Sequence, residues 1–282
     1  MSETRDARRI VYLTPGMPTE DGAGVKLTRL VGTPELPDLD PMLMLDTFRS
    51  DDPNDYIAGF PPHPHRGFET VSYMIKGRLQ HRDNKGGEGL ITDGGVQWMT
   101  AGKGVVHSEM PAQTGGAMFG FQLWLNLPAR EKMSAPWYRD IRAEDIPTVA
   151  LPGGASVKLV AGMIGETKGP GPERATAPLI ADVTIPASAN LSLPIPDGHN
   201  AFLYLFEGTL SLGEDRRAVS TGELAVLSDT GTLTAAAAAH SARFLLVAGK
   251  PLREPIAKYG PFVMNTQDQL RQAVRDFQRG LF

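Results

Sequence analysis

Apolar residues in this chain come in short runs, each closed by Gly, Pro or Asp, and a sustained helical period appears only near the end. Such punctuation restricts the fold more than any single motif does. With 31 Gly and 23 Pro among 282 residues, tight turns are cheap and long helices are not, so the expected class is an all-β sandwich or barrel. VSYMIKGRLQHRD reads as strand, turn at Lys76-Gly77, strand, and Asp93-Gly94-Gly95 marks another turn before VQWMT. MFGFQLWLNLP alternates, with Phe119, Phe121, Leu123, Leu125 and Leu127 on one side and Gln122, Trp124 and Asn126 on the other. The exception is the C-terminus. Thr266 and Gln269 form a capping box, and Leu270, Ala273, Val274 and Phe277 share one face of a helix expected over about 267–279.

The second half repeats the pattern. SYMIKGRL resembles LYLFEGTL, which aligns Gly77 with Gly208, and NLSLPIPDGHN falls where FPPHPHRGFET falls in the first half. A duplicated domain is expected, divided as 1–138, a connector over 139–153, and 154–282 including the helix. ETKGPGPERATAP (166–178) reads as a flexible loop.

Within this frame two triplets carry the chemistry: His63 and His65 in PPHPHRGFET, and His107 and Glu109 in GKGVVHSEMP. Residues two apart on a strand project to the same side. If the two stretches are neighbouring strands, three imidazoles and a carboxylate converge. Burying them together is costly without a cation, so a divalent first-row metal is the natural occupant. Pro61, Pro62 and Pro64 cannot donate ladder hydrogen bonds, which places the first pair at a strand entry, an edge or a bulge. Glu69 has the same parity as His63 and His65 and is the alternative carboxylate. It stands about 13 Å along the strand from His65, against about 7 Å between Glu109 and His107, so Glu109 is preferred. His81, His199 and His240, taken singly, read as ordinary core or surface residues. Arg66 and Lys103 read as surface charges by default. Near the second turn only His199 remains, and GTLTAAAAAHSARF carries no H-x-E, so no metal is expected in the second copy.

Composition narrows the alternatives. The chain has no cysteine, which removes disulfides, thiolate zinc sites, iron–sulfur ligation and thiol catalysis together. Its net charge of −4 is spread without basic clusters, and RDARR at the N-terminus is short and placed where chains fray, so direct nucleic-acid binding is not expected. No apolar window is long enough to span a membrane and MSETRDARRIVYLTPGMP lacks a signal-peptide core, so a cytoplasmic protein is expected.

HPHRGFETVSYMIKGRLQHRD, GGVQWMTAGKGVVHSEMP, FQLWLNLP and YGPFVMNT together resemble the pirin family of the cupin superfamily, over nearly the whole chain and most strongly over residues 60–128. The resemblance implies two jelly-roll-like cupin β-barrels. It implies a metal in the first, held by His63, His65, His107 and Glu109 and usually iron, and it sets Glu69 aside as a ligand. Fe(II) is therefore the expected cofactor, with Mn, Co, Ni, Cu or Zn as alternatives.

Two functions attach to the family. One is a quercetin 2,3-dioxygenase reaction, opening a flavonol-like enol with O2 and releasing carbon monoxide, for which Glu109 is the candidate base. The other is iron-dependent redox sensing through a transcription or metabolic protein partner. The enzyme is preferred, and a monomer over an oligomer. Met99, Trp98, Phe121 and Met118 could line a substrate pocket, but they are equally good core residues, and core is the preferred reading for any one of them.

Overall fold

The computed structural model describes residues 6–282. Among them the one α-helix is Gln267–Gln278 and the rest of the regular structure is strands and single 3₁₀ turns. No helix there is long and apolar enough to cross a membrane. The chain separates into two compact modules. Of the described residues, the first comprises 17–143 and 252–282, and the second comprises 6–16 and 144–251.

Both modules have the same strand order. In the first, a seven-stranded sheet runs Trp137–Ile141, Val96–Thr100, Phe68–Lys76, Met118–Asn126, Met42–Ser50, Val25–Val31 and Met17–Asp21. A separate four-stranded sheet runs Phe60–His65, Val105–Pro111, Leu79–Asp83 and Glu88–Ile91. In the second module the seven strands are Ile10–Thr14, Leu224–Leu227, Asn200–Glu207, Ala242–Gly249, Leu179–Ile185, Ser156–Ala161 and Thr148–Ala150. Its four are Asn190–Pro194, Thr232–Ala237, Thr209–Leu212 and Arg217–Ser220. The fold is thus a pair of cupin-type β-sandwiches, and the sheets are not closed by hydrogen bonds into the barrels the resemblance implied. Gly77 (φ 99°) and Gly208 (φ 83°) make the same turn. A Cβ on Gly208 would stand 2.3 Å from Ser241 O, so both the backbone angle and the space require glycine.

The chain's ends do not follow the contiguous division at 138 and 154. Ile10–Thr14 pairs with Leu224–Leu227 in the second module, at the edge position that Trp137–Ile141 fills against Val96–Thr100 in the first. The expected connector therefore supplies two sheet strands, Trp137–Ile141 and Thr148–Ala150. Nor does the basic segment before Ile10 merely fray. Arg8 is fully buried and donates to five carbonyl oxygens: Gly231 (3.1 Å), His199 (3.0 Å), Ser228 (2.5 Å), Pro196 (2.8 Å) and Asp229 (3.1 Å). All of a guanidinium's donors are satisfied there, which offsets the cost of burying the charge.

The C-terminal segment returns to the first module. The capping box at Thr266 and Gln269 forms as expected, and Leu270 and Ala273 pack with Phe262 and Met264. Lys132, almost wholly buried, donates to Gly67 O (2.7 Å), Asn126 Oδ1 (2.6 Å) and Val263 O (3.1 Å), tying this segment to the turn after His65. Burial pulls its ammonium down to about 8.

Candidate metal centre

The strand Phe60–His65 lies at the edge of the four-stranded sheet, where its prolines cost no ladder bonds. It runs antiparallel to Val105–Pro111 with His63 opposite His107 and His65 opposite Val105. Alternation along the two strands brings His63, His65 and His107 to one side, and one ring nitrogen from each lies within 4.8 Å of the others. His65 is 3% exposed and His107 2%, while His63 is half-buried. Gly67, in the turn after His65, lets the backbone pass close to the C-terminal segment. Its φ is 90°, and a Cβ there would stand 2.0 Å from Val263 O.

The surroundings of His65 and His107 disfavour their charged forms. Burial, reinforced by the neighbouring imidazoles, lowers His65 and His107 well below the ordinary histidine range. His63 Nδ1 stands 2.8 Å from Pro61 O. A carbonyl only accepts, so Nδ1 carries a proton and Nε2 is the nitrogen aimed at the cluster. His63 Nε2 in turn lies 3.0 Å from His65 Nε2. His107 Nε2 is buried and has no hydrogen-bond partner. Imidazole nitrogens aimed at one another, with the buried Nε2 of His107 left without a partner, fit a bound divalent cation.

Glu109 takes a different place from the histidines. It is 1% exposed, and the register slips between His107 and Glu109 against the edge strand. Its Oε1 accepts from Ser72 Oγ (2.8 Å) and its Oε2 from Gln122 Nε2 (2.6 Å). The cluster of converging ligand atoms contains the three histidines without it. Glu69 is not in the cluster either: it is opposite Thr100, whose hydroxyl donates to it at 2.6 Å. His81, read from sequence as an ordinary residue, is fully buried beside His107, with 3.2 Å between their Nδ1 atoms. The signal for it was parity: His81 and Asp83 alternate on the strand that follows the Gly77 turn. Arg66 is buried rather than a surface charge, bonding Lys103 O (2.6 Å) and Asp276 (2.8 Å).

A cleft of about 970 Å³ opens onto His63 and His65, within the size usual for small-molecule sites. Gln122 and Trp124 line it from the polar side of their strand, and Phe48 and Phe60 add apolar surface. Trp124 stands edge-on to His65 with ring centroids 5.2 Å apart. Arg29, clamped by both oxygens of Asp46 at 2.8 and 2.7 Å, and Lys258, 3.2 Å from Asp38, line the wall together with these aspartates. Trp98, Phe121 and Met118 are core residues and do not line the cleft. Met99 borders a separate cavity of about 320 Å³. Trp98 and Met99 lie on neither of the two strands that frame the cluster, and Phe121 alternates away from Gln122.

Comparison with known proteins agrees with this architecture. Residues 24–125 match the family model of Pirin, and residues 180–282 that of the Pirin C-terminal cupin domain. A Pseudomonas aeruginosa protein provisionally named a quercetin 2,3-dioxygenase is 48% identical, over 97% of this chain and 98% of its own. A pirin-like protein of Caulobacter vibrioides is 49% identical, over 98% and 99%. The crystal structure of a quercetin 2,3-dioxygenase from Acinetobacter baumannii superposes with a TM-score of 0.90 at 34% identity, covering 98% of each chain. By sequence along both modules and by fold, this chain belongs to the pirin family.

Proposed function

We propose that the chain is a metal-dependent dioxygenase that opens a flavonol-like enol with O2, its metal held by His63, His65 and His107. The observation that carries the reading is the convergence of three imidazoles, two of which, His63 and His65, line a roomy cleft. A divalent first-row ion there, Fe(II) by preference, would supply a Lewis acid for the substrate's enolic oxygen. The protein's own groups do the rest. Trp124 and Phe60 offer flat apolar surface to an aromatic ring. Glu109, two residues from His107, is the candidate fourth donor and the base that takes the enolic proton. To reach the cluster its carboxylate exchanges the hydrogen bonds from Ser72 and Gln122.

The test is O2 uptake and carbon monoxide release by Fe(II)-reconstituted protein given quercetin, with His107→Ala alongside. Turnover by the wild type and none by the variant is expected. Equal turnover by metal-stripped His107→Ala would overturn the assignment. Iron bound at one per chain without turnover would favour the redox-sensing partner role.

A further inference from the structure

The reading above gives His81 no task, yet it is fully buried against one of the metal-cluster histidines. The strand Leu79–Asp83 runs beside Val105–Pro111 with His81 opposite Glu109 and Asp83 opposite His107. His81 Nδ1 lies 3.2 Å from His107 Nδ1, so one of the two nitrogens donates and the other accepts. Only one arrangement suits a metal. If His81 donates, the His107 proton sits on Nε2 and that nitrogen is closed to a cation. If His107 donates, its Nε2 keeps a lone pair, and this is the buried nitrogen without a partner. His81 then carries its own proton on Nε2, which has no hydrogen-bond partner and lies 3.8 Å from Asp83 Oδ2, beyond hydrogen-bond range. Asp83 is itself fixed, its Oδ1 accepting from the backbone of Lys85 (2.7 Å) and Gly87 (2.9 Å). A Cβ on Gly87 would stand 2.2 Å from the other oxygen.

We infer that His81 is a positioning residue for the metal centre, an imidazole acceptor that holds His107 in its Nδ1–H form. Metal-bound histidines commonly donate their second nitrogen to a carboxylate or a backbone carbonyl. His63 follows that rule through Pro61 O, whereas His107 has an imidazole in the same role. The inference rests on the metal reading of the three-histidine cluster.

The experiment compares Co(II) binding by calorimetry and the visible Co(II) spectrum in wild type, His81→Leu and His81→Asn. The Asn Oδ1 takes the place of Nδ1 and accepts the same bond, while Leu fills the space without an acceptor. His81→Leu is expected to weaken Co(II) by about 10–100-fold and to shift its ligand-field bands, with His81→Asn restoring most of both. Should His81→Leu fail to fold, His81→Gln replaces it. Its acceptor overshoots the Nδ1 position, so it is expected to weaken binding where Asn does not. Wild-type affinity and spectrum in His81→Leu would overturn the inference alone, as would equal losses in Leu and Asn, which would indicate packing. Absence of Co(II) binding in the wild type would overturn the metal reading and the inference with it.

Discussion

The two modules share a strand order and differ in what fills it. Aligning the turns at Gly77 and Gly208 and following the registers pairs His63-Pro64-His65 with Leu193-Pro194-Ile195, and His107 with Leu233. By the same registers Glu109 meets Ala235, His81 meets Leu212, Ser72 meets Leu203 and Gln122 meets Leu246. Every polar residue of the candidate centre is matched by an apolar one at most 6% exposed, and all seven belong to one hydrophobic cluster. One scaffold thus serves two ends. Where side chains from the two sheets are aliphatic they close on each other and stabilise the module. Where they are imidazole, carboxylate and amide, burial is unfavourable unless donors are matched or a cation is bound. The proline between the paired residues, Pro64 or Pro194, stays because it suits the edge strand in both modules.

That contrast yields predictions of graded size. Leu203→Ala in the second module is expected to lower stability most, by about 2–5 kcal/mol, because it empties packed space. Urea unfolding would read the loss, and metal content would be unchanged. Ser72→Ala, at the matched position of the first module, removes a hydrogen bond to a buried carboxylate and is expected to cost about 2 kcal/mol. Unlike Leu203→Ala it should alter metal affinity, since Glu109 loses one of its two donors. Identical metal binding in the two variants would break the comparison.

The smallest effect near neutrality is on pH. His65 and His107 titrate lower folded than unfolded, mainly because they are buried. The unfolded chain therefore takes up their protons first. Stability of the metal-free protein is complete above about pH 6.5 and is lost as pH falls toward the folded values. His199 shifts in the same direction in the second module, so hydrogen exchange should place the larger acid-induced opening, though not all of it, in the first. Uniform opening of both modules would contradict this.

Much of the architecture is legible in the chain because it is local. Short apolar runs with Gly and Pro between them specify strands, the Thr266–Gln269 pair specifies a helix start, and H-x-H places two rings on one side of a strand. What was not legible is set by partners distant in sequence. Nothing near Ile10–Thr14 indicates pairing with Leu224–Leu227, and nothing near Arg8 announces the carbonyls that bury it. Strand parity put Glu109 beside His107 correctly, but the slipped register and the donors on Ser72 and Gln122 decide where its carboxylate rests. Parity also could not tell which alternating face looks into the cleft, so Gln122 and Trp124 line it where Trp98 and Phe121 were candidates.

The most direct measurement is anomalous diffraction at the metal edge from crystals soaked in Fe(II) or Ni(II). The account predicts one peak per chain, about 2.1 Å from ring nitrogens of His63, His65 and His107, and none among the leucines of the second module. A peak elsewhere, or no peak between those three histidines at full metal occupancy in solution, would contradict it.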